Sequence, residues 1–150
     1  MERTRMEIQF ADAFLRSTKR ERFVALSEAR TLSRSSGRKT QKLHAQYRQA
    51  LVNLEHWIST DESIVREHRS DPSEGLLQAL QEAGAPAECY AMSVDPALDG
   101  RTLPVDVALS ALKSGLNDTT LLLHRPASLI YYWHGEWHNS SMILMRRAPR

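Results

Sequence analysis

Toward its C-terminus the chain reads YYWHGEWHN, residues 131–139, and three of these side chains are competent metal ligands. His134, Glu136 and His138 recur at every second position, the spacing that puts side chains on one face of a strand. Two imidazoles, a carboxylate and a water would form a catalytic zinc arrangement able to support metal-assisted hydrolysis. Against this, Gly135 sits inside the triplet and apolar runs flank it, SLIYYW before and SMILM after. The simplest path reverses the chain at His134–Gly135 or Gly135–Glu136, a hairpin tip with Trp133 and Trp137 as near cross-strand neighbours. The hairpin is the expected reading, and neither a metal nor another cofactor is expected.

A second chemical candidate pairs the only cysteine, Cys89, with His124 on another predicted strand. A cysteine nucleophile needs a nearby base, but nothing in the sequence fixes the approach of these two residues. Cys89 opens an apolar strand, where thiols are usually inert packing residues. Asp95, Asp99 and Gly100 superficially match a calcium loop. The alternating acidic spacing is missing and Asp106 stands where the twelfth-position glutamate belongs, so a turn is expected there. No phosphate-binding glycine loop, dinucleotide fingerprint, GxSxG or HExxH occurs.

Charge is the stronger signal. The chain carries a formal +2, but this total hides an asymmetry. Between residues 16 and 48 ten basic residues (Arg16, Lys19, Arg20, Arg22, Arg30, Arg34, Arg38, Lys39, Lys42, Arg48) face two acidic ones, Glu21 and Glu28, a net +8. Residues 1–15 carry −1 and residues 49–150 carry −5. A basic front on an acidic body suits a polyanion or an acidic protein surface as partner. The two lobes attracting each other is the bland alternative. On a regular helix, Lys19, Arg30 and Arg34 fall within about 60° of one another, with Phe23 and Leu26 in or beside that sector. Such a mixture requires arginine stems lying over apolar surface, or an irregular helix.

These groups must be positioned by a fold of modest size. A chain of 150 residues fits one domain and buries roughly 70% of its unfolded surface. A basic helical part over 1–70 and an α+β part over 71–150 are expected. Apolar residues make up 41% and charged residues 25%, ordinary for a globular protein. The longest apolar runs are far too short to cross a bilayer, so no membrane partner is expected. MERTRMEIQF lacks an apolar stretch behind its arginines, so no secretory signal is expected. A single cysteine cannot form an intramolecular disulfide, and a reducing cytoplasm is the expected compartment.

Met6, Phe10, Ala13 and Phe14 mark one face of a first helix, and Thr18 with Glu21 forms a capping pattern for a second starting near Lys19. Ser35, Ser36 and Gly37 break it. Leu43, Tyr47, Ala50, Leu51, Leu54 and Ile58 fall within about a 100° arc, so a third helix is expected to run that far. Ser59 and Glu62 suggest a short fourth helix through Ile64 and Val65 toward His68. After a linker at Asp71–Pro72, Ser73 is placed to cap a helix over EGLLQALQEA, stopped by Gly84 and Pro86. Then come a strand over AECYAMSV, a turn at Asp99–Gly100, and a helix with Pro104 as its first residue. The strands TTLLLH, SLIYYW and HNSSMILM complete a β-α-β-β-β order. An α+β fold follows, with N-terminal helices and a small, mostly antiparallel sheet.

The expected function is a non-enzymatic binding or regulatory module. Its ten basic residues would meet nucleic-acid backbone, with Trp133 and Trp137 as a further partner surface. A protein-interaction module, inhibitor or adaptor, on an acidic partner is the second expectation, and the metal-assisted hydrolase is the third.

Overall fold

A computed structural model of the chain describes residues 2–32, 38–69, 75–114, 118–125, 128–135 and 140–146. It is α+β, with helices in the N-terminal half and a six-stranded antiparallel sheet in the C-terminal half. The chain divides into two compact units, Met1–Thr60 and Asp61–Arg150.

The first unit is helical: α1 (Glu2–Phe14), α2 (Ser17–Leu32), α3 (Arg38–Val52) and the single turn α4 (Leu54–Trp57). Helix α1 packs on α2, and α2 on α3. Phe10 is the hinge of this packing, stacked on Phe14 with ring centroids 6.0 Å apart and edge-on to Phe23 at 5.5 Å. The apolar arc expected of one long third helix is present, but the helix breaks at Asn53. Beyond α4, Ile58 turns extended and pairs with Leu15 in an antiparallel bridge. The Arg16 N–H donates to the Trp57 carbonyl at 2.9 Å and the Ser59 N–H to that of Phe14 at 2.7 Å. The α1–α2 corner is thus tied to the end of α4.

In the second unit, residues expected to form a fourth helix are a strand, β1 (Ile64–Arg69). Asp61 starts it with a turn. Its carboxylate accepts the Ser63 N–H at 3.0 Å, which holds its pKa below the usual value, and its carbonyl accepts the Ile64 N–H. The β-branched pair Ile64–Val65 favours extended backbone. The exposed Arg66, Glu67 and His68 are the charged residues usual on a sheet edge. Helix α5 (Leu76–Glu82) follows, with Gly75 rather than Ser73 at its N-cap and no side-chain cap; Ser73 itself lies outside the described residues. Its stop is as expected. Gly84 takes φ 100°, the Gly84 N–H donates to Gln81 O and the Ala85 N–H to Leu80 O, the paired bonds of a Schellman motif.

The remaining elements are β2 (Glu88–Ser93), β3 (Thr102–Pro104), α6 (Val105–Ser114), β4 (Thr120–His124), β5 (Leu129–His134) and β6 (Ser140–Arg146). Pro104, expected as the first helical residue, is the last residue of edge strand β3 opposite Glu88. An edge tolerates its missing N–H, and the helix starts one residue later. The sheet order is β1-β6-β5-β4-β2-β3. One face carries Cys89, Ala91, Leu122, Leu129, Tyr131, Trp133 and Ile143, packed with Leu76, Leu80, Val105, Ala108, Leu109 and Leu112 of α5 and α6. Residues of the other face, among them Tyr90, Met92, Leu121, Leu123, Ile130, Tyr132 and Leu144, are buried as well. This explains why TLLLH reads as a continuous apolar run rather than an alternating one.

Candidate nucleic-acid interface

The basic side chains of the first unit separate into three environments. Arg30 is inside. It is 5% exposed and paired with Glu7, which is fully buried, and its guanidinium carbon lies 3.8 Å from the Tyr47 ring centroid. Glu7 also accepts the Ser27 hydroxyl at 2.7 Å. The apolar sector of α2 therefore tolerates Arg30 because α1 delivers a carboxylate to it, not because the helix is irregular. The sequence does contain a sign of this pair. Glu7 stands three, four and seven residues before Phe10, Ala11 and Phe14, an acid within an apolar stripe.

Arg16, Lys19, Arg20 and Arg22 form the second group, at the α1–α2 corner and the start of α2, over an arc of about 160° with Arg20 and Arg22 at its two edges. Arg16 Nε donates to Ile58 O at 3.2 Å and Arg20 Nη2 to Leu15 O at 3.1 Å, so the two carbonyls of the bridge residues each hold one guanidinium. Lys19 Nζ lies 5.4 Å and the Arg22 guanidinium carbon 5.8 Å from the Trp57 ring centroid, within cation–π range. None of the four has a carboxylate partner among the described residues, although Glu21 lies exposed on the same stretch of helix.

Lys42 and Arg48 make the third group, exposed on α3 and about 120° apart around it. Arg38 and Lys39 belong to the first turn of α3, and their side chains lie outside the described ones, as does all of Arg34.

The other candidates resolve differently. Of the proposed metal triplet, Glu136 and His138 lie outside the described residues, as does Trp137. Strands β5 and β6 do form a hairpin, but His134 pairs with Ser140 and Trp133 with Ser141. The register is therefore not centred on Gly135 as expected, and Trp137, the expected cross-strand neighbour of Trp133, cannot be placed because it lies outside the described residues. Trp133 is itself fully buried in the core, so it cannot be part of an exposed partner surface. In the 95–100 turn the carboxylates serve the backbone: Asp99 accepts the Ser93 N–H at 3.0 Å and Asp95 the Ala97 N–H at 2.9 Å. No metal-competent group of three His, Cys, Asp or Glu occurs among the described residues. A pocket of about 350 Å³ opens between the end of α5 and the start of α6, near Leu77, Gln81, Pro104 and Asp106. The Asp106 carboxylate accepts its neighbour Val107's N–H at 2.9 Å.

Cys89 and His124 lie on adjacent strands. Continuing the register that pairs Tyr90 with Leu123 and Ala91 with Leu122 places them opposite each other on one face. They do not hydrogen-bond, since both His124 ring nitrogens are buried without a partner. Burial pushes the Cys89 thiol up to about 12 and the His124 imidazole down to about 4. Near neutral pH neither group carries charge, and the pair has no thiolate to offer.

Compared with protein-family models, curated proteins and solved structures, the chain matches none. Among the described residues, no helix is long and apolar enough to cross a membrane.

His124 gives a pH prediction. The unfolded imidazole titrates near its ordinary 6.5, the native one at about 4. Below 6.5 the unfolded state takes up a proton that the native state refuses. The native state thus keeps its full stability above pH 6.5 and loses about 3 kcal/mol through this group as pH falls to 4. His124→Leu is expected to remove that part of the slope and to be no less stable at pH 7, because it deletes two unsatisfied buried nitrogens. Urea unfolding of both proteins at pH 7 and 4.5 measures the difference; identical pH slopes would overturn it.

Proposed function

We propose that the helical unit is a binding module that holds nucleic acid by its phosphate backbone, using Arg16, Lys19, Arg20 and Arg22. The observation that carries this reading is their anchoring. Backbone carbonyls and an indole orient the four cations, while no described carboxylate neutralises them. Cations fixed in this way keep their charge and lose little side-chain entropy on contact with an anion. The unit around them is basic, with twelve Lys and Arg against six Asp and Glu over residues 1–60, which favours encounter with a polyanion. Arg30, being buried with Glu7, has no part in the surface. Lys42 and Arg48 extend it only as separate, exposed charges. The proposed role is that of a cytoplasmic, non-enzymatic module.

Four phosphate contacts give a slope of log affinity against log salt of about −3.6, so affinity should fall about a hundredfold between 50 and 200 mM salt. Fluorescence anisotropy with a labelled duplex measures this directly. The Lys19→Glu/Arg22→Glu variant is expected to halve the slope and to weaken binding at every salt concentration. An absence of binding to any nucleic acid at 50 mM salt would end the reading.

A further inference from the structure

We infer that the cation cluster docks on the backbone of double-stranded DNA, and neither stacks on bases nor reads them. This rests on the nucleic-acid reading above and narrows it. Proteins that hold single strands combine a basic groove with aromatic faces on which bases stack. Ten aromatic residues occur in the chain, and the nine described ones are all buried. Within the helical unit Phe10, Phe14 and Phe23 are 0%, Tyr47 2% and Trp57 9% exposed. Trp57 is the aromatic nearest the cluster, and its indole is already attended by Lys19 and Arg22. Among the described residues a base therefore finds no free ring beside the cations, whereas a phosphate finds guanidinium and ammonium donors.

The guanidiniums are also tethered. Arg16 and Arg20 each spend one N–H on a carbonyl of the bridged pair Leu15 and Ile58. Arg20 Nε is itself buried, so the Nη groups not bound to a carbonyl are the donors held in a fixed plane, suited to a backbone whose phosphates are themselves regularly placed. From Arg16 to Arg22 the helix advances about 9 Å. Along B-DNA one strand presents a phosphate about every 3.4 Å of axis, so the cluster covers between two and three phosphate steps, room for up to about four phosphates. Duplex RNA is the weaker fit. Double-stranded-RNA-binding domains reach across two successive minor grooves and use 2′-hydroxyl contacts, a span much longer than this cluster.

The test uses the full chain at 50 mM salt with three labelled probes: a 20-base-pair DNA duplex, the RNA duplex of the same sequence, and a 20-residue oligo(dT). The expected result is that duplex DNA binds at least tenfold tighter than oligo(dT) and tighter than duplex RNA. Scrambling the DNA sequence should leave affinity unchanged within about twofold, and Lys19→Glu/Arg22→Glu should weaken it by tenfold or more. Oligo(dT) or duplex RNA binding as tightly as duplex DNA, or a preference among duplex sequences, overturns this inference while leaving the nucleic-acid reading in place. Binding to none of the three overturns both. Circular dichroism confirms that the variant retains its helices; Lys19→Gln/Arg22→Gln repeats the comparison without charge reversal should it not.

Discussion

Replacing Glu7 by alanine is expected to destabilise the helical unit by about 3–5 kcal/mol, the usual cost of leaving a buried charge without its partner. Glu7 is fully buried and Arg30 is 5% exposed, so water cannot take over the lost contact. The change also deprives the Ser27 hydroxyl of the carboxylate that accepts it at 2.7 Å. The cation would be left against the Tyr47 ring, and that contact contributes about 2 kcal/mol even when desolvated. Glu7→Gln keeps the shape and the serine bond but removes the charge, so it should fall between wild type and alanine. The paired replacement Glu7→Leu/Arg30→Met should recover most of the loss, because an apolar pair of similar volume removes the desolvation cost of both ions. Urea unfolding followed by circular dichroism at a helical wavelength gives all four values. A Glu7→Ala cost below about 1 kcal/mol would mean that the pair is solvated and contributes as little as a surface bridge. The same series bears on the proposed interface, because the pair links α2 to α1, and the α1–α2 corner carries Arg16 and Arg20.

That pair also shows where sequence reasoning reached its limit. Periodicity found the helices and most strands because their apolar positions repeat locally: Met6, Phe10 and Phe14 for α1, Leu76 and Leu80 for α5, the continuous TLLLH for β4. Stop signals with a backbone cause were equally legible, as Gly84 shows by adopting φ 100° at the end of α5. Edge elements were not. Strand β1 has one strongly buried residue, Ile64, and otherwise charged or partly exposed positions. Its extended shape comes from pairing with β6, some eighty residues later in the chain, and no local pattern records that. Charge counting misplaced Arg30 for a related reason. Ten basic residues within 33 look like a single face, but whether an arginine is free depends on acids brought up by another helix. Glu7 lies 23 residues from Arg30, outside the window in which the excess was counted. The Leu15–Ile58 bridge, whose carbonyls accept from Arg16 and Arg20, and the Trp57 ring beside Lys19 and Arg22 join residues some forty positions apart in a way the sequence does not announce.

Trp133→Ala should cost the second unit about 3–5 kcal/mol, the range for truncating a large aromatic in a packed core. The indole is fully buried and belongs to the cluster formed by the sheet and helices α5 and α6. Its neighbours in register make room for it, with Thr120 opposite on β4 and Ser141 opposite on β6. These are smaller side chains flanking the largest one in the core, and they cannot expand to close the space an alanine would leave. Trp133→Phe should cost less, about 1–2 kcal/mol, since most of the ring volume stays. An interface anchor would behave in the opposite way. An exposed tryptophan at a hairpin tip contributes little to folding, so its truncation would leave stability nearly unchanged and reduce only partner binding. Urea unfolding of the two variants separates these outcomes: a loss under about 1 kcal/mol for Trp133→Ala would place the ring at the surface. The register argues for the core. Trp133 stands two residues beyond Tyr131 on β5, paired with Thr120 and Ser141, so strand alternation puts both rings on the face that packs against α5 and α6.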